Sequence, residues 1–307
     1  MKDGEVSATY GYNKVSGDEF PTGVDIEQQS DSGSGMIAIP LMPTIDGYPD
    51  YGNFGLAWNK IDSNWKDDSF DTISERQQVT AAYAHQISET TSLGYSFGWT
   101  DDKFQSRAIF NYPMRKGLRH TIGAQWKASD TLSFGSSAYF GYGEHRALYG
   151  PGITGTSDTE EVGFDLGTAY QMERTLLTAS LDYRHLSSDG EVVASIPANV
   201  VGGDENGNLY NVRIGAEHPI NDWFDVRAGY RFAGLASYNY NRVELNDLNG
   251  SANYHAVSAG FGFNIPTHNS YIQRVDLDYG TEFRKAGDND WQHLVTLSIP
   301  FELCSNS

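Results

Sequence analysis

From residue 118 to 303, apolar side chains recur at every second position over stretches of about ten residues, the period of an extended strand with two unlike faces. Helical spacing is scarce. In 118–128 one face reads Leu118, His120, Ile122, Ala124 and Trp126, and the other Arg119, Thr121, Gly123, Gln125 and Lys127. After a turn at Ser129-Asp130 the scheme repeats, with Leu132, Phe134, Ala138, Phe140 and Tyr142 against Ser133, Gly135, Ser137, Tyr139 and Gly141. These two strands form a hairpin. Three more hairpins are expected across Met172-Glu173-Arg174, across His218 to Asp222 and across Pro266 to Ser270, and a final strand runs from Trp291 to Phe301.

Upstream, Val79 to Tyr83 and Leu93 to Trp99 make a hairpin across Ile87 to Thr91, and Val6 to Tyr12, Met36 to Leu41 and Phe54 to Trp58 each hold a strand. Phe104 to Tyr112 is read as an extension of its neighbours. The count is about fourteen strands, within a range of roughly twelve to sixteen, and short turns alternate with long loops at Ser63 to Glu75, Gly143 to Thr159, Ser187 to Gly207 and Gly234 to Asn253. That rhythm belongs to an all-β, single, antiparallel up-and-down barrel.

Alternation alone also fits a soluble sandwich. Three features favour the membrane. Strands of about ten residues or more exceed the usual soluble length and match a tilted bilayer crossing. Apolar faces end in amphipathic rings: His120, His185, His255 and His293 toward the long loops, and Tyr83, Trp126 and Tyr170 toward the short turns, as interfacial girdles require. An interfacial role for these histidines is preferred to catalysis or metal binding. The opposite faces mix glycine and serine with charges of both signs, as the wall of a watery lumen would.

Those inward charges are the candidate pore-lining residues: Arg119, Lys127, Arg184, Arg213, Arg227, Arg231 and Arg274 against Asp165, Asp182, Glu217, Asp225, Asp276, Asp278 and Glu282. A solute in the pore would meet their sign and size as an electrostatic barrier. Pairing across neighbouring strands would instead stiffen the wall and leave little net field. Both roles remain open from sequence.

Composition excludes several alternatives. Apolar runs are a handful of residues, far short of the roughly 20 of a spanning helix. A formal net charge of −19 argues against a nucleic-acid partner, since phosphate binding runs on cationic side chains. The long loops carry most of that surplus, so divalent cations bridging to lipopolysaccharide are conceivable partners beside the lipid itself, although a solvated acidic face explains the same charge. One cysteine, Cys304, removes any disulfide framework or multi-cysteine zinc site, and no cofactor or metal is expected. MKDGEV holds no apolar signal-peptide core, which fits either a chain kept inside the cell or a mature sequence given an initiator methionine.

GPGITG at 150–155 satisfies a dinucleotide-loop pattern but falls in an expected connector, with no strand running directly into a helix. His145 beside Glu144 is the best-placed acid–base pair, yet no spacing supplies a nucleophile, and the chain is not expected to be an enzyme.

VTLSIPF at 295–301 resembles the C-terminal signal strand of Gram-negative outer-membrane proteins, here followed by Glu302 to Ser307. The series GLRHTIGAQWKASDTLSFGSSAYFGYG, NVRIGAEHPINDWFDVRAGYRF, HAVSAGFGFNI and RVDLDYGTEF is similar to the second half of the FadL/TodX family, over residues 118–303. The resemblance implies a fourteen-stranded barrel for uptake of hydrophobic compounds. It does not extend to that family's N-terminal helical plug and Asn-Pro-Ala motif, so no ligand-binding residue carries over. The expectation is therefore a barrel over 1–303 with a tail at 304–307, in a bacterial outer membrane, acting as a passive channel for small solutes. A FadL-like transporter of hydrophobic compounds and the membrane anchor of a larger secretion or adhesion protein are the alternatives, along with a soluble carbohydrate-binding sheet protein.

Overall fold

A computed structural model describes residues 3–19, 24–41, 51–66, 71–106, 114–150, 153–194, 200–242, 245–267, 272, 274–286 and 288–302. Among them are fourteen strands and no helix: β1 (Asp3–Glu19), β2 (Val24–Pro40), β3 (Asn53–Lys66), β4 (Asp71–Gln86), β5 (Thr91–Ser106), β6 (Met114–Lys127), β7 (Leu132–Gly150), β8 (Ile153–Met172), β9 (Thr175–Ala194), β10 (Val200–Asn221), β11 (Phe224–Arg242), β12 (Leu245–Pro266), β13 (Arg274–Ala286) and β14 (Asp288–Glu302). Each pairs antiparallel with its sequence neighbours, and β1 closes on β14 with Tyr10 opposite Val295. Closure leaves no sheet edge, which is the condition for placing strands in hydrocarbon.

The interior is not an apolar core. Among the described residues the buried apolar ones are only Tyr139, Ala233 and Ala256. Large apolar side chains lie on the outside instead, with Ile122 66% exposed, Val257 57% and Ile214 55%. In water such a wall would be a large aggregation surface; in a bilayer it is the contact face. The apolar parity read from sequence is thus the outward one, and the chain is a transmembrane β-barrel of the outer-membrane type.

Outer-face rings gather as the girdles require. Near the short connectors Trp223, Phe224, Phe261 and Phe263 pack together, with Trp223 stacked on Phe263 at 6.0 Å and Phe224 5.3 Å from Phe263. Trp126 stacks on Phe134 at 5.7 Å. The four histidines are hydrogen-bonded by residues of an adjoining strand. Tyr95 Oη meets His120 Nδ1 at 2.7 Å, Tyr230 Oη meets His255 Nδ1 at 2.6 Å, Tyr279 Oη meets His293 Nδ1 at 2.8 Å, and Asn208 Oδ1 lies 2.9 Å from His185 Nδ1. Polar atoms facing lipid need such partners, and these fit the interfacial reading of the four rings.

Three expectations are corrected. The long loops are largely strand: β7 runs to Gly150 and β8 starts at Ile153, β9 runs to Ala194 and β10 starts at Val200, and β11 runs to Arg242 and β12 starts at Leu245. Hydrophobic alternation stops there, while the backbone ladder continues. The GPGITG segment accordingly sits at the tip of the β7–β8 hairpin, with residues 151–152 outside the described ones. The turn expected at His218 to Asp222 tightens to Asp222-Trp223. Pro219 and Ile220 stay in β10 through a register shift between Pro219 and Asn221, which absorbs the missing proline N–H. Phe104 to Ser106 do extend β5, whereas residues 107–113, the His145 side chain and the tail at 304–307 lie outside the described residues.

The two-residue β8–β9 turn holds Glu173 at φ 52°, a left-handed conformation that costs a β-carbon about 1 kcal/mol. Glu173→Asn is expected to raise stability by roughly 0.5 kcal/mol, Asn being the better left-handed residue. Urea unfolding of the reconstituted barrel measures it.

Candidate functional site: the charged inner wall

Because the outward parity is apolar, the alternate residues turn inward, and the charged ones cluster in two places. The first is built on Arg227 of β11, whose guanidinium is reached by Glu217 Oε2 at 2.8 Å from β10, Asp278 Oδ1 at 2.6 Å from β13 and Asp225 Oδ1 at 3.1 Å from its own strand. Asp225 is buried, and Asn264 Nδ2 lies 3.4 Å from its other oxygen. Two of these bonds cross strands because Glu217 stands opposite Arg227 in register, while Asp278 reaches over the intervening β12 residue Gly262. A β-carbon on Gly262 would lie 2.6 Å from Asp278 Oδ1 and from Asp225 Oδ2, so the bare backbone there is what lets the carboxylates meet the guanidinium. Two inward positions farther along β11, past Gly229, Arg231 pairs with Glu282 of β13.

The second cluster lies farther from the short connectors, on β6 to β9. Arg119 stacks over the Tyr139 ring at 3.7 Å and lies 3.7 Å from Glu161. Arg184 Nε is 3.3 Å from the same Glu161 oxygen and donates to Tyr139 Oη at 3.4 Å. Tyr139 can lie flat against the wall because Gly163 stands directly opposite it on β8.

The other expected wall residues are placed differently. Asp165 and Asp182 face each other across the β8–β9 pair, with Ser137 Oγ donating to Asp165 at 2.7 Å. Arg213 makes no ion pair among the described residues; with the Asn211 amide in its satisfied orientation, Asn211 Oδ1 accepts from its Nη2 at 2.5 Å and Nε at 2.9 Å. Arg274 pairs with Asp276 on its own strand at 3.0 Å. Lys127 pairs with turn residue Asp130 at 3.0 Å, both largely solvent-exposed, and so does not bridge strands. Exposed pairs of that kind contribute roughly 0.2–1 kcal/mol at most.

Sequence reading missed Glu161 as the hub of the second cluster, and Tyr139 as more than a polar-face residue. Glu161 continues the inward parity of Gly163 and Asp165, so that signal was present. Lys60, which meets Asp62 at 2.9 Å and Glu75 at 3.5 Å, shares the outward parity of Leu56 and Trp58 and is no part of the inner wall.

Hollows open beside these groups. One of about 750 Å³ is bordered by Arg213, Glu217, Arg227, Arg231, Asp278 and Glu282, and one of about 390 Å³ by Arg119, Glu161 and Arg184. A third, of about 470 Å³, is floored by Gly94, Gly123, Gly135 and Gly167 beside Asp165.

No protein-family model matches the chain, and no curated protein matches it in sequence. Solved structures do match it in fold. A Pseudomonas aeruginosa FadL homologue superimposes with a TM-score of 0.65 at 12% identity, covering 99% of this chain and 91% of that one. The TodX deltaS2S3 mutant, a monoaromatic hydrocarbon channel, gives 0.58 at 12% identity over 97% of this chain and 89% of that one. The Pseudomonas putida toluene transporter TodX gives 0.55 at 11% identity, over 98% and 89%. The likeness read over 118–303 therefore extends, as fold, over nearly the full length.

Proposed function

We propose that this barrel is an outer-membrane channel for passive diffusion or uptake of small solutes. The observation that carries the reading is the charged inner wall, with hollows beside ion pairs, inside a closed cylinder whose outer face is apolar. A polar wall lowers the cost of carrying a hydrated solute past hydrocarbon, and the charges set which solutes pass. On this reading the paired arginines and carboxylates line the path, and the long acidic hairpins form the mouth, where divalent cations could bridge to lipopolysaccharide.

Purified protein added to planar bilayers is expected to give stepwise conductance increments. A folded, inserted barrel that stays electrically silent would refute the open pore. The fold likeness to the FadL homologue and TodX favours a second reading, transport of a hydrophobic compound. Silence combined with uptake of a hydrophobic compound by vesicles carrying the protein would select it.

A further inference from the structure

We propose that the bore is cation-selective and that the carboxylates gathered on Arg227 set that selectivity; this deepens the channel reading and rests on it. Three carboxylates, Glu217, Asp225 and Asp278, lie within 3.1 Å of one guanidinium, so the cluster keeps a surplus of negative charge after pairing. Its neighbour Arg231 is matched by Glu282 and adds no balancing charge. Asp165 and Asp182 oppose one another on the adjoining wall, facing Arg213, the guanidinium between the two groups along the sheet, and also Arg119 and Arg184 of the second cluster. The cluster on β6 to β9 has the opposite sign, with Arg119 and Arg184 sharing Glu161 and Arg76 bordering the same hollow, but it stands on other strands, apart from the carboxylates gathered on β10 to β13. Arg274 with Asp276 and Lys127 with Asp130 are neutral pairs.

The surplus is accessible where it matters. Asp225 is held at 4% exposure against the wall, whereas the Glu217 and Asp278 side chains are 41% and 25% exposed beside the hollow of about 750 Å³. Fixed charge on a low-dielectric wall draws counter-ions and repels co-ions over a Debye length, about 8 Å at physiological salt. The favoured solutes are small hydrated cations and molecules that present an ammonium group. Arg227 acts as a resident counter-ion that tempers the field.

The test is the reversal potential of the full chain in planar bilayers under a KCl gradient. The sign expected is that of potassium permeating faster than chloride. Glu217→Gln combined with Asp278→Asn should move the potential toward zero, and Arg227→Gln should move it further in the cation direction. A conducting wild type with a zero or chloride-directed potential overturns the proposal, and needs no variant. Variants that insert and conduct but leave the potential unchanged overturn the assignment to these residues. A barrel with no conductance at all removes the channel reading and the selectivity together, which is a different result from a channel of the wrong sign.

Discussion

Ile122→Arg will destabilise the reconstituted barrel by about 2–4 kcal/mol, the cost of a cation on the lipid face near the bilayer midplane. Ile122 is the most exposed of the large apolar side chains, and its strand neighbours in register are Tyr95 and Ala138. The inward residue three positions on gives the contrast. Gln125→Arg, beside the glycine-floored hollow, is expected to change stability by roughly 0.5 kcal/mol or less. Urea unfolding in lipid vesicles, followed by tryptophan fluorescence, measures both. Equal costs at the two sites would mean that the parity of β6 toward lipid and bore is wrong.

Gly163→Ala is expected to be the most damaging methyl addition in the wall. A β-carbon there would fall 2.3 Å from the ring carbon and oxygen of Tyr139 and 2.4 Å from the Tyr183 carbonyl oxygen. Relieving the first contact takes a ring shift, which Arg119 above the ring and Arg184 at its hydroxyl oppose; the second contact is backbone. Overpacking of this kind costs about 1–3 kcal/mol, and the upper end is expected here. Tyr139→Ala placed on top of Gly163→Ala should recover only part of the loss, because the Tyr183 carbonyl stays where it is. Heat-modifiable migration and the urea midpoint read the effect. Full recovery in the double variant would show that the ring alone sets the need for glycine.

Both substitutions turn on which face of a strand a residue occupies, and that was legible from the chain. In β6 the alternation of Leu118, Ile122 and Trp126 with Arg119, Gly123 and Lys127 fixes the parity, since a one-residue slip would exchange every lipid contact for a polar one. Beyond the bilayer both faces are wet, so selection leaves no period there. Segments such as 143–150 and 187–194 therefore read as loops although their backbones stay paired. The inward charges were legible as a set, but their partners were not. Asp278 reaches Arg227 across a whole strand because Gly262 carries no side chain, and Lys127 turns to Asp130 in the adjoining turn.

The amino-acid order alone determined the number of crossings, their antiparallel succession and the apolar side of each, because these follow from local periodicity and from the spacing of turns. Closure of β1 on β14 and the sharing of Glu161 by Arg119 and Arg184 were decided by the tertiary structure. So was the gathering of three carboxylates on Arg227. These contacts join residues distant in the chain, and they depend on strand register and stagger, which bring charges two strands apart within reach but leave no mark in the spacing of any one strand.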